Sequence, residues 1–190
     1  MRRRLTPIFQ QGGLDGLCGA YAVVNSLTWL LQNGEAIPPL KLVAPRDESD
    51  MFAAILAQLS KRQIIDTVRN GSRFPLLKRF TRSGIRYIAE HYGVRMRMSI
   101  PFAAGARSMT ELWDTVHEHS LVNGPGSVLI GLEGIHWHWT SVKTVHQRSL
   151  VLCDSGGLAR INRSRATIGK PSRVRPHRIV PEEMILLSIR

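Results

Sequence analysis

The chain has 190 residues, 43% of them hydrophobic, and 26 Lys and Arg against 14 Asp and Glu give it a formal net charge of +12 at pH 7. That apolar fraction, with a mean hydropathy of −0.09, argues against a disordered chain, and no apolar run approaches the roughly 18 residues of a membrane span. One domain over residues 1–190, with one substantial core, fits this length. The start, Met1-Arg2-Arg3-Arg4-Leu5, is basic and lacks the apolar core of a secretory signal. Two cysteines, Cys18 and Cys153, are too few for a disulfide framework. A reducing, cytoplasmic setting is therefore expected, with a secreted effector as the alternative.

In chain order, a glycine-rich polar turn, Gly12-Gly13-Leu14-Asp15-Gly16, runs into an apolar segment with Cys18 at the junction. Ala20, Val23, Val24, Leu27, Leu30 and Leu31 recur at helical spacing, which predicts a mostly buried helix from Cys18 to Gln32 ended by Asn33-Gly34. Residues Glu35 to Arg46 hold three prolines and read as loop. Asp47 or Ser49 then caps a second helix carrying Met51, Phe52, Ile55, Leu56 and Leu59. Lys61 to Arg82 is ambiguous, with Asn70-Gly71-Ser72 as a turn and Pro75 as a breaker. Ser83 to Tyr92 reads as a helix stopped by Gly93, Val94 to Met98 as a half-buried strand, and Ser108 with Glu111 as a capping box. From Ser127 strands take over: Val128–Leu132, His136–Val145, Ser149–Cys153 after a His146-Gln147-Arg148 turn, and Met184–Ile189. Helices first and an antiparallel sheet afterwards is the α+β pattern.

Two further features bear on chemistry. A cysteine in the first turn of a helix meets unpaired backbone N–H groups and the positive end of the helix dipole, a setting that favours a thiolate. Downstream, His136 and His138 fall on one face of a predicted strand, and Asp154 ends the next strand, sixteen residues after His138. That separation suits two neighbouring antiparallel strands. A thiol hydrolase needs such a set: a nucleophile, an imidazole to carry its proton and a third group to hold the ring. Taken singly, Cys18 would be a core cysteine, His138 a surface histidine and Asp154 a turn opener; the combination is what points to catalysis. Zinc ligation by His136, His138, Cys153 and Asp154 is the competing reading, and Cys153 by itself reads as core. Trp137 and Trp139 are expected to pack one sheet face.

The pieces Asp15-Gly16-Leu17-Cys18-Gly19-Ala20-Tyr21-Ala22, His138-Trp139-Thr140 and Asp154-Ser155-Gly156-Gly157 resemble the papain-like (clan CA) cysteine peptidase superfamily. Bacterial peptidases that cut double-glycine leaders, and Josephin-type deubiquitinases, are nearest in flavour. The resemblance implies a papain-like α+β fold, a helical N-terminal part packed on an antiparallel sheet. It implies Cys18 as nucleophile, His138 as general base and acid, Asp154 as orienter, and Gln11 or Gln10 as an oxyanion donor beside the Cys18 backbone N–H. It implies no metal or organic cofactor. The motifs cover about a quarter of the chain. They depart from the family pattern in placing the glutamines seven and eight residues before the cysteine and a leucine, Leu17, immediately before it. His136 rivals His138; spacing to Asp154 and the following Trp139-Thr140 favour His138.

The expected activity is cleavage of a peptide or isopeptide bond. The rivals are another acyl-transfer reaction on the same scaffold (amidase, transglutaminase-like or acyltransferase) and a non-catalytic basic binding module. Partners follow from charge. Arg160, Arg163, Arg165, Lys170, Arg173, Arg175 and Arg178 occur with no acidic residue between Gly156 and Val180, which fits an acidic protein or peptide substrate ahead of nucleic acid. No aromatic residue interleaves them, which weakens a stacking platform for single strands.

Overall fold

A computed structural model describes residues 8–11, 16–33, 45–122 and 126–190. The Gly12–Asp15 turn, the Gly34 helix stop, most of the Glu35–Arg46 loop and the basic start lie outside the described residues. The order is α1 (Cys18–Asn33), α2 (Pro45–Leu56), α3 (Lys61–Asn70), α4 (Phe74–Tyr92), β1 (Met96–Ser99), α5 (Met109–His117), β2 (Gly126–Gly134), β3 (His138–His146), β4 (Ser149–Cys153), β5 (Arg160–Asn162), β6 (Ala166–Thr167) and β7 (His177–Ile189). A π-turn, Glu118–Val122, extends α5, and a 3₁₀ turn, Arg163–Arg165, links β5 to β6. The α+β reading holds: four helices come first and the strands form a sheet ordered β1-β7-β2-β3-β4-β5, antiparallel throughout except where β6 runs parallel to β7.

Several boundaries differ from the sequence reading. The second helix starts at Pro45, so Asp47 and Glu48 lie in its first turn instead of preceding it; a proline's fixed φ suits a first helical position. The ambiguous stretch contains two helices. Ser60 and Gln63 close a reciprocal capping box on α3, and Pro75 sits in the opening turn of α4, starting a helix where a breaker was expected. The Ser83–Tyr92 helix is the second half of α4, and Gly93, at φ 69°, supplies its left-handed end. Ser108 caps α5 as expected, while Glu111 reaches back to the Arg107 amide. The β3–β4 turn is the tight pair Gln147-Arg148, since His146 and Ser149 still face each other in register.

The last strand is much longer than Met184–Ile189. Its register with β2 breaks between Leu129/Ile185 and Gly131/Val180. A bulge holding Pro181 absorbs the extra residues, one of the few ways a proline fits inside a sheet.

Both faces of the sheet are covered, which explains the near-continuous burial of β2. Alternate residues divide between two cores, as the strand period of two requires. Leu129, Ile185 and Leu187 face α1, α2 and α4, where Leu27, Leu30, Ile55, Phe80 and Ile88 are fully buried. Val128, Ile130, Leu132, Met184 and Leu186 face α5 with Leu112, Trp113 and Val116. The helix α1 is thus buried on nearly all sides. It crosses the sheet with the Ser26 hydroxyl 2.6 Å from that of Ser127 on β2.

Candidate active site

Cys18 is the first residue of α1, and the Leu17 carbonyl accepts from the Ala20 and Tyr21 amides, which winds the first turn. The approach to it is tightly held. The Gly16 amide donates to the Val68 carbonyl at the end of α3. A Cβ on Gly16 would lie 2.5 Å from the Thr67 carbonyl oxygen, and one on Gly19 would collide with the Ser72 hydroxyl. The α3–α4 turn is in turn fixed to the sheet, because the Trp139 indole N–H donates to the Ser72 carbonyl at 2.6 Å and its ring stacks on Phe74. Glycines at 16 and 19 are therefore a packing requirement of the turn that leads into Cys18.

His138 opens β3 and Asp154 follows the last residue of β4. Register places Ser141 opposite Cys153, so the open end of this hairpin brings the two side chains together. His138 Nε2 and Asp154 Oδ2 are 2.8 Å apart; a carboxylate only accepts, so Nε2 carries the hydrogen. The other oxygen, Oδ1, accepts from the Gly156 and Leu158 amides at 2.9 Å each. Gly157, at φ 89°, makes the turn that aims those amides back. Asp154 is 2% exposed. Burial would push its carboxyl up, but the hydrogen bond and charge of His138, the Thr140 hydroxyl dipole and the Leu158 amide together hold it below the usual carboxylate range. The Thr140 hydroxyl is buried and makes no hydrogen bond of normal geometry among the described residues, so its effect is that of an oriented dipole.

Cys18 lies close enough to the His138 ring to act on its protonation, and with Nε2 engaged by Asp154 the other ring nitrogen is Nδ1. Burial opposes a charged ring here. Hydrogen bonds to Asp154 and Cys18, and their negative charge, outweigh it and raise His138 to about 9. Near neutrality the ring is therefore protonated, with one N–H on Asp154. The structure thus brings Cys18, His138 and Asp154 into one chain of contacts.

The upstream glutamines separate clearly. Gln10 is exposed, its side-chain amide donating to the Ile8 carbonyl. Gln11 is half-buried beside the Asp154 turn: its amide donates to the Ser155 carbonyl at 3.1 Å, and Ser155 Oγ donates to its Oε1 at 3.3 Å. Asn25, one of the few polar residues on buried α1, clamps the same segment by exchanging two hydrogen bonds with the Phe9 backbone. Neither Asn25 nor Ser155 stood out in the sequence. A buried asparagine within an otherwise apolar helix was the available signal.

Two expectations are corrected. His136 is not on the strand with His138; it lies in the turn Ile135-His136-Trp137 between β2 and β3 and stacks on His177 with ring centroids 5.5 Å apart. Trp137 does not pack the sheet beside Trp139, being 80% exposed against 7%. The turn forms because the strand ends before His138, where the Gly134 and Ile135 backbone meets the Pro176 carbonyl. With His136 turned away, the four residues considered for zinc do not assemble, and no group of three or more His, Cys, Asp or Glu side chains suited to a metal occurs among the described residues. Cys153 is buried, and desolvation pushes its thiol up to about 11, the behaviour of an inert core cysteine. No described helix is long and apolar enough to cross a membrane. Comparison of the chain with protein-family models, with curated proteins and with solved structures finds no match.

Proposed function

We propose that the chain is a cysteine peptidase of papain-like type, acting on a peptide or isopeptide bond through Cys18, His138 and Asp154. The observation that carries the reading is His138 held by buried Asp154 at 2.8 Å, with Cys18 at the start of α1 beside the same ring. A buried carboxylate on the imidazole and a cysteine beside it at a helix N-terminus is the arrangement that acyl transfer through sulfur requires.

In the first half-reaction the Cys18 sulfur adds to the substrate carbonyl carbon as a thiolate, with the proton carried by His138. Negative charge moves to the carbonyl oxygen, facing the Cys18 amide at the start of α1 and the Gln11 side-chain amide as donors. The donor on Gln11 is its side-chain nitrogen, Nε2, and its Oε1 accepts from Ser155 Oγ. His138 then gives its proton to the amine nitrogen, the C–N bond breaks, and an acyl thioester stays on Cys18. In the second, His138 takes a proton from water, hydroxide adds to the thioester, and the carboxylic acid leaves as the C–S bond breaks. Asp154 stays ionised and holds the ring throughout.

The test is covalent labelling of the full chain by an electrophilic peptide and a ubiquitin-type probe at pH 7, with mapping of the modified residue. Labelling at Cys18 and its loss in Cys18→Ala, together with all turnover, is the expected result. Turnover that survives Cys18→Ala overturns the reading.

A further inference from the structure

Next to the triad the surface carries features that the chemistry above does not use. The β2–β3 turn, immediately before His138, exposes Ile135 and Trp137, at 61% and 80%. It faces a groove of about 520 Å³ lined by Ile135, Arg165, Pro171, Arg173 and Pro176, among others. The groove has a built wall. Its far side is the excursion between β6 and β7, closed at its base by the parallel Ala166/His177 and Thr167/Arg178 pairs. At its tip the Ser172 amide donates to the Arg175 carbonyl, and Ser172 Oγ accepts from the Arg175 amide. The near side is pinned by the Ile135 amide on the Pro176 carbonyl. Ile135 lies three positions before His138, at most about 11 Å of chain.

The charge in this wall is not neutralised from within. Arg178 is paired with Glu133, and Arg163 lies over the Trp113 ring and donates to Thr110. Arg165, Lys170, Arg173 and Arg175 have no ion pair among the described residues, and Arg165 and Arg173 are exposed at the groove. His177, 9% exposed with its Nδ1 unpartnered, stacks on His136 behind the same turn. A free excess of fixed positive charge beside exposed apolar side chains matches an occupant with carboxylates and apolar groups interspersed. Nucleic acid fits less well. Proline and isoleucine line much of the groove, and phosphate contacts there would be few.

We infer that this groove is an exosite that takes an acidic, apolar-interspersed segment of the polypeptide substrate and delivers it to the triad from the His138 side. The inference rests on the peptidase reading for the word substrate, but its binding test does not. In the Cys18→Ala chain, which cannot turn over, fluorescence anisotropy is measured with a labelled peptide of alternating Glu and Leu. The comparison ligands are the same peptide with Lys for Glu and a single-stranded oligothymidylate of equal formal charge. The Glu-Leu peptide is expected to bind best. Joint Arg165→Glu and Arg173→Glu substitution should weaken it at least tenfold, and Arg62→Glu with Arg69→Glu on exposed α3 less than twofold. Equal losses in the two double variants, or tighter binding of the oligonucleotide than of the acidic peptide, overturns the exosite. Probe labelling of Cys18 in the otherwise native chain separates the two ideas. Absent labelling sinks the peptidase and leaves the groove result standing; normal labelling without a groove effect sinks the exosite alone.

Discussion

At the scale of single residues the decisive pair is His138 with Asp154. His138 rises to about 9 in the folded chain from an unfolded value near 6.5. A raised base stabilises the fold fully below its unfolded value, and that stability is lost as pH climbs through the folded one. Asp154, lowered by the same contact, stabilises the fold above its unfolded value and loses that contribution in acid. Asp154→Asn separates charge from geometry, since the amide oxygen can still accept from Gly156 and Leu158. The His138 ring, followed by NMR, should titrate near 9 in the native protein and well below that in Asp154→Asn, with turnover reduced by about 10²–10⁴. An unmoved His138 titration would show that the carboxylate does not set the ring's protonation. Cys18, His138 and Asp154 were all legible in the sequence, through residue type and a spacing that suits a hairpin. Which of Gln10 and Gln11 lies beside the Asp154 turn was not. Adjacent residues differ only in which way the chain turns them, and that is decided by distant Asn25 and Ser155.

At the scale of elements, the first turn of α1 is set by contacts far away in sequence. The α3–α4 turn presses on Gly16 and Gly19 while Trp139 holds that turn to the sheet. Gly19→Ala must push Ser72 aside, whereas Gly84, in the middle of α4, meets only flexible side-chain ends of Leu27, Val23 and Ile55. Gly19→Ala is therefore expected to lower stability by about 1–3 kcal/mol through overpacking and to slow Cys18 labelling more than tenfold. The checks are urea denaturation and the labelling rate. Wild-type labelling in a stable Gly19→Ala chain would show that the turn does not position the thiol. Helix α3 and the first half of α4 went unresolved in sequence because their signals are a cap at Ser60 and Pro75 more than periodicity, and Pro75 reads equally as a start or a stop. The β2–β3 turn extends further than the sequence suggested for a related reason. His136 and Trp137 read as strand with His138 and Trp139, but the Ile135 amide on the Pro176 carbonyl, about forty residues on, holds the chain in the turn as far as Trp137.

At the scale of the whole molecule, one sheet carries a core on each face. Leu27 belongs to the core under α1, α2 and α4; Ile130 belongs to the core under α5. Both are fully buried. Leu27→Ala and Ile130→Ala should each cost about 2–5 kcal/mol and shift one common unfolding transition, because β2 contributes alternate side chains to both cores. Two separate transitions by calorimetry would refute a shared core. The net charge of +12 is a property of composition alone, but where it stays unpaired is not.

The sequence by itself determined the class of architecture, the core faces of α1, the second half of α4 and the hairpin strands, and the pairing of His138 with Asp154. These follow from local period, from caps and from residue chemistry, all of which act over a few neighbouring positions. Only the tertiary structure decided that Gln11 and not Gln10 reaches the Asp154 turn, and that His136 leaves the strand to stack on His177. It also turned Trp137 outward while Trp139 is buried. Each of these depends on a partner forty or more residues away, and no local pattern encodes a contact whose other half arrives only when the chain has folded.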